Sequence, residues 1–311
     1  MPIRLLAPLV VVLPVAAAAQ EMVPATLAGH AALPAFSFSA PPEDAPSEAG
    51  ISGRFTAGTA PVNVPQSLET NGLRYPFFGQ PLQGFSAFAL TRGPEGGLYA
   101  LIDNGFGSKA NSSDALLSFT RLMPDFETGE VEVLERVWLR DPDGHVPFRI
   151  VHEATAARYL TGADFDVESI QVVGDTVFIG DEFGPYLITA TLDGRVTGVH
   201  ATMLDGAELR SPDHPALRVP AEGGADWRVP RSRGFEGMAM TPDGTMLWAM
   251  LEGAILDAEG NSEDGTVRVL AFDPEARDWT GESFRFRFTE GASAIGDFNF
   301  IDGTRALVIE R

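Results

Sequence analysis

The 311-residue chain contains no cysteine. That excludes disulfide staples, thiol nucleophiles, iron–sulfur clusters and cysteine-bound zinc. Basic residues are scarce as well: 22 Lys and Arg face 43 Asp and Glu, a formal net charge of −21. A phosphate backbone wants the opposite sign, so nucleic acid is not an expected partner. The histidines are only His30, His145, His152, His200 and His214, and none has metalloprotease spacing. Gly-x-Ser-x-Gly is missing; Gly84-Phe85-Ser86-Ala87-Phe88 lacks the second glycine. There is no Walker loop and no dinucleotide fingerprint.

Long apolar runs are missing beyond the N-terminus. Met1-Pro2-Ile3-Arg4 carries one positive charge, Leu5 to Val15 is apolar, and Ala16-Ala17-Ala18-Ala19-Gln20 supplies small residues for cleavage. That order predicts a signal peptide over 1–19 and a periplasmic or secreted protein. The run is too short for a membrane anchor, so no membrane span is expected once the leader is removed. Roughly 290 residues would remain, ample for one large domain whose core must hold it together without disulfides.

What is abundant is turn chemistry. With 33 Gly and 23 Pro there is little room for long helices. The best helical candidate is short, around Val151 to Leu160. Residues 20–50 read as an N-terminal strand and linker: Ala35-Phe36-Ser37-Phe38-Ser39 alternates, and Pro41 to Gly50 is loop-like. From 51 to 311 strand follows strand. Leu98 to Ile102, Val131 to Leu139, Thr176 to Gly180, Thr266 to Phe272 and Ser283 to Phe288 are the clearest, with Asp-Gly turns at 143, 193, 243 and 302. Many short strands with frequent turns predict an all-β sandwich, barrel or propeller.

An internal repeat selects among these. Four segments share one layout, a strand bearing small or acidic residues near Phe and then an apolar strand ending in an acid. They are Gly84 to Leu90 with Leu98 to Gly105, Asp164 to Ile170 with Val177 to Gly184, Gly234 to Met240 with Met246 to Gly253, and Gly296 to Ile301 with Arg305 to Arg311. In the third copy Thr241-Pro242-Asp243-Gly244-Thr245 is the hairpin between them. Antiparallel pairing puts the start of one strand and the end of the other at the same edge. Glu168 and Glu182 should therefore meet, as should Glu236 and Glu252. Small antiparallel sheets repeated every 60 to 80 residues or so fit β-propeller blades, whose equivalent positions form a ring around one mouth. The bland alternative is that each acid merely ends a strand.

Hard cations such as Ca²⁺ take several carboxylate and carbonyl oxygens. Asp103, Glu168, Asp181, Glu182, Glu236, Glu252 and Glu310 are the candidate metal ligands, with Asn104 or Asn299 as neutral oxygens. Clustered acids without an ion would have raised pKa values and suit general acid–base work. Glu168 and Glu236 are the candidate catalytic acids. Arg231 and Arg233 precede Phe235-Glu236 and Arg311 follows Glu310; of these basic residues Arg233 would steer an anionic substrate.

At these residues the chain resembles the phytase-like family of bacterial propellers, described by an esterase-like activity of phytase. The resemblance rests on Gly84-Phe85-Ser86-Ala87-Phe88, Asp166-Val167-Glu168-Ser169-Ile170, Asp181-Glu182-Phe183-Gly184-Pro185-Tyr186, Arg233-Gly234-Phe235-Glu236-Gly237-Met238 and Leu307-Val308-Ile309-Glu310-Arg311, in the family's order. The third and fourth of these segments, around Asp181 and Arg233, are the more specific. The resemblance implies an all-β propeller of antiparallel blades and a phosphoesterase or esterase activity that depends on calcium. Two departures stand out. Glu168-Ser169 replaces the usual Glu-Gly, and the chain stops at Arg311 where members continue, so an incomplete propeller is expected. The expected function is a metal-dependent hydrolase of phosphate esters or other small anionic esters. The alternatives are a lactonase or carboxylesterase propeller, and a non-catalytic, calcium-stabilised propeller that binds a partner or glycan.

Overall fold

The computed structural model describes residues 24–54, 56–57, 60–61, 75–103, 105–217, 227–257, 259–262 and 265–311. The leader expected over 1–19 and the oxygen donor Asn104 lie outside them.

Alternating apolar strands and tight turns build three four-stranded antiparallel sheets and a final two-stranded one, each a meander in chain order. The first comprises Phe85–Arg92, Leu98–Ile102, Ser118–Asp125 and Glu130–Trp138. The second comprises Val167–Val173, Thr176–Asp181, Tyr186–Thr191 and Val196–Ala201. The third comprises Phe235–Met240, Leu247–Leu251, Thr266–Asp273 and Asp278–Arg287, and the fourth Ile295–Phe300 and Ala306–Glu310. The leading strand of each sheet is innermost. These four inner strands lie side by side in chain order, and the fourth comes back within reach of the first. The expected all-β propeller of antiparallel blades is therefore what forms; among the described residues no sheet closes on itself.

Burial explains the blade order. Leu101, Phe119, Phe165, Ile170 and Ile179 pack between the first and second blades. Phe178, Leu187, Phe235, Leu247 and Phe272 pack between the second and third. Met250, Val267, Val269, Ile295 and Phe298 pack between the third and fourth. Each fully buried Phe or Leu contributes about 1.5–3 kcal/mol, so every blade face is held by its neighbour. In the hairpins the turn chemistry is explicit. Gly244 takes φ +72°, while Asp243 Oδ1 accepts the Thr241 hydroxyl at 2.7 Å and the Thr245 N–H at 3.1 Å.

At the axis one side chain joins several blades. Gln171 is wholly buried. Its Oε1 accepts the Leu90 N–H at 3.0 Å, and its Nε2 donates to Met238 O at 2.7 Å and Asn299 Oδ1 at 2.9 Å. Asn299 is thus an axis residue.

The N-terminal segment docks on the first blade. Phe38–Ser39 pairs with Gln80–Pro81, and Ile51–Ser52 with Phe77–Phe78. Arg136 clips it there, donating to Ser39 Oγ at 2.8 Å and Gln80 O at 3.0 Å while lying 4.0 Å over the Trp138 ring.

The helix expected around Val151 to Leu160 does not form. Arg158 takes φ +48°, outside the helical region, and side chains hold the local N–H groups. Glu153 Oε2 accepts the Ile150 N–H, Asp164 Oδ1 accepts the Val151 N–H, and Thr155 Oγ1 accepts the Arg158 N–H. Among the described residues the helical turns are Ser47–Gly50 and Pro94–Gly96. None of them is long and apolar enough to cross a membrane.

Candidate functional site at the propeller mouth

The four inner hairpins share one irregularity. Their registers begin Phe85↔Ile102, Val167↔Asp181, Phe235↔Leu251 and Ile295↔Glu310, and each then shifts by one residue. The extra residues are Ser86, Glu168, Glu236 and Gly296. A bulge leaves its residue unpaired and re-aims the side chain. A second equivalence follows at the other strand. The residue after each register start donates its N–H to the start of the inner strand: Asp103 to Gly84 O, Glu182 to Asp166 O, Glu252 to Gly234 O and Arg311 to Ala294 O, at 2.7–2.9 Å. These eight equivalent positions all line one cleft of about 450 Å³, together with Asp166, Phe85, Gly107 and Ser232.

Asp103, Glu168, Glu182, Glu236 and Glu252, five of the seven expected ligands, line this cleft. Asp181 and Glu310 do not, because each stands one residue earlier in its strand, and successive side chains point to opposite faces. Asp181 is wholly buried and accepts the Asp166 N–H at 2.8 Å and the Gly184 N–H at 2.7 Å. Glu310 accepts the Thr289 N–H at 3.0 Å and its hydroxyl at 2.5 Å. Both acids anchor backbone at the cleft's rear. Arg233 reaches Glu252 Oε2 at 3.1 Å, and Arg231 pairs instead with Asp213.

Two charged lining residues, Asp166 and Arg311, were not on the expected ligand and catalytic set. Asp166 occupies the place that Gly84, Gly234 and Ala294 hold in the other repeats, and the only signal for it was its position two before Glu168. Arg311 takes the ring place of Glu182 and Glu252, so the fourth blade contributes a cation where the others contribute acids. Its Nη2 lies 2.8 Å from Glu236 Oε1 and 2.5 Å from Glu252 Oε1. Among the described residues no histidine lines the cleft; His214, for example, is spent on Tyr186 OH at 2.8 Å.

The glycines of the Arg233-Gly234-Phe235-Glu236-Gly237 segment have a steric reason. A Cβ on Gly234 would stand 2.4 Å from Glu182 Cα, and one on Gly237 would stand 2.9 Å from Phe298 Cβ. The second blade departs from this pattern with Ser169, the counterpart of Gly237. Its hydroxyl donates to Phe235 O at 2.9 Å, and the room comes from Gly180 opposite, where a Cβ would lie 2.2 Å from Ser169 Oγ. Gly234→Ala should push the Glu182 backbone outward and cost about 1–3 kcal/mol, read as a lowered urea midpoint; an unchanged midpoint would contradict this packing.

The cleft's electrostatics are dominated by burial. Asp166 is 3 % exposed and Glu182 4 % exposed. Desolvation, then the charges of Asp103 and Asp181, push Asp166 up to about 8. Desolvation and then Glu252 push Glu236 up to about 8, against the pull of Arg311. Glu168 and Glu182 are both held well above the ordinary carboxylate range, first by burial and then by neighbouring acids. Glu252 is raised by burial although Arg233 and Arg311 oppose it. Glu182 Oε1 is buried and has no hydrogen-bond partner. Such a group costs several kcal/mol unless something binds it. Ligand oxygens of Glu168, Glu182 and Glu236 all lie within 4.8 Å of one another, as do those of Asp103, Asp166 and Glu168. A dense set of carboxylate oxygens with no nitrogen or sulfur donor suits hard divalent cations.

Solved structures with some similarity to this chain include the Dos1 propeller, at 13% identity and a TM-score of 0.35, matching 71% of this chain and 41% of that one. The C-terminal WD40 domain of Sif2 matches 74% of this chain and 46% of its own at 12% identity, TM-score 0.32. A catalytically inactive virginiamycin B lyase from Staphylococcus aureus matches 78% and 54% at 13% identity, TM-score 0.30. The chain thus spans less than two thirds of each of these proteins. No curated protein matches the sequence. The family model for phytase-like proteins, described as "Esterase-like activity of phytase", matches residues 80–311, which include every blade and every acid of the cleft. The chain belongs to the phytase-like family.

Proposed function

We propose that the protein is an exported hydrolase of phosphate esters or other small anionic esters, working with divalent calcium held in the propeller-mouth cleft. The observation that carries this reading is Glu182, buried, with Oε1 unpartnered, facing oxygens of Glu168 and Glu236 within 4.8 Å. A bound divalent ion supplies positive charge to the ester oxygens and lowers the pKa of water. Glu168, Glu182 and Glu236 are the residues that would hold it. Glu168 and Glu236 would also take up and return a proton through whichever carboxylate oxygen the ion leaves free. Arg233 and Arg311 stand on the Glu252 side of the cleft and would orient the substrate's anionic group.

The test is turnover of p-nitrophenyl phosphate, phytate and p-nitrophenyl acetate by chelator-treated protein, with and without added Ca²⁺. Calcium should restore turnover of at least one ester, and Glu182→Gln should lower that turnover about 100-fold or more. Turnover indifferent to chelator, or none on any ester with calcium bound, would sink the proposal. A second reading, a structural ion, is favoured by the fact that the acids come from three different blades. Glu236→Gln separates the two. Lost turnover at an unchanged melting midpoint supports catalysis; a lowered midpoint supports the structural ion.

A further inference from the structure

We infer that the cleft is built for two divalent cations that share Glu168, one completed by Asp103 and Asp166 and the other by Glu182 and Glu236. This rests on the cation-binding reading above and deepens it.

The geometry carries the inference. Two separate triads of carboxylate oxygens meet the spacing for an ion, and Glu168 is common to both. The bulge at Glu168 is what allows this. It places that side chain between the Asp103 end of the first blade and the Glu236 bulge of the third, with Glu182 beside it on its own blade. A carboxylate has two oxygens and about four lone-pair sites, so one Glu can serve two ions.

Charge points the same way. Six acids line the cleft, and two guanidinium groups, Arg233 and Arg311, pair with them. The excess of four negative charges is what two divalent ions balance and one does not. Both arginines converge on Glu252, which belongs to neither triad, and Arg311 also reaches Glu236 Oε1 at 2.8 Å. The other five acids make up the two triads. Among them Glu182, 4 % exposed and with an unpartnered Oε1, is a group that itself calls for a ligand. Paired ions in enzymes sit about 3.5–4 Å apart, and a shared carboxylate imposes that kind of separation.

Native mass spectrometry and calorimetric titration of the chelator-stripped full chain with Ca²⁺ test this. Wild type should bind two ions per chain. Asp103→Asn and Glu182→Gln should each leave one, and the double variant none. Glu168→Gln should weaken both ions by about 10-fold or more. Because a variant can lose its fold, wild type co-loaded with Tb³⁺ and Eu³⁺ supplies an independent readout. Two ions sharing Glu168 should give strong Tb-to-Eu energy transfer. A single ion in wild type, or one ion surviving in the double variant, or absent energy transfer, would overturn the inference. Two bound ions without ester turnover would sink the hydrolase reading alone; turnover with one bound ion would sink this inference alone.

Discussion

Stripped of divalent ions by a chelator, the protein is expected to lose stability as pH rises from about 5 to about 9, and saturating Ca²⁺ is expected to cancel that loss. Asp166, ordinarily at 3.8, is pushed up to about 8 by burial and its acidic neighbours. Glu236, ordinarily at 4.5, is likewise pushed up to about 8. Glu168 and Glu182 move in the same direction. The folded chain therefore keeps protons that the unfolded chain has already released. Stability from these groups is fully present below the ordinary values and is withdrawn as pH climbs toward the raised ones. Asp166 and Glu236 each withdraw up to about 1.4 kcal/mol per pH unit within that window, against a total of only about 5–15 kcal/mol. The melting midpoint without calcium should fall by roughly 10 °C or more between the two ends of the range. Bound calcium favours the ionised acids, so its affinity should rise over the same window. Thermal melts at several pH values, with chelator and with calcium, decide the matter. A midpoint flat in pH without calcium would show that these acids are not buried together.

Gln171→Leu is expected to be the most damaging substitution away from the cleft, costing roughly 3–6 kcal/mol. The replacement keeps the volume but strands three groups at the axis: the Leu90 N–H, the Met238 carbonyl and Asn299 Oδ1. Each buried group left without a partner costs about 1–3 kcal/mol. Because these partners belong to the first, third and fourth blades, the loss should appear as a single cooperative destabilisation in urea, with calcium affinity falling as the mouth loosens. A cost under about 1 kcal/mol would show that apolar packing between the blades holds the axis without this amide.

The pairing of acids was legible because it rests on local periodicity. Two strands joined by a Thr241-to-Thr245 turn must bring Glu236 and Glu252 to one edge, and the same holds for Glu168 and Glu182. Their phase was not legible. The sequence shows Asp181-Glu182 and Glu310-Arg311 as neighbours at a strand tip, and nothing local says which of each pair faces the mouth. The register shift settles it, and it lies where the inner strands pack closely. There Gly234 must admit the Glu182 backbone and Gly237 must admit Phe298. The helix expected around Val151 to Leu160 failed for a related reason. Thr155, Glu153 and Asp164 spend their side chains on local backbone N–H groups, and one of them comes from outside the segment.

By itself, then, the sequence determined the class of the fold, the repeat and the character of the chemistry, because strand alternation, turn residues and carboxylate content are properties of short stretches. Only the tertiary structure decided that Asp181 and Glu310 face away, that Asp166 and Arg311 face in, and that Glu168 stands between two triads. Those outcomes depend on the relative placement of four blades, and side-chain direction alternates with every residue, so a shift of one position exchanges a ligand for an anchor.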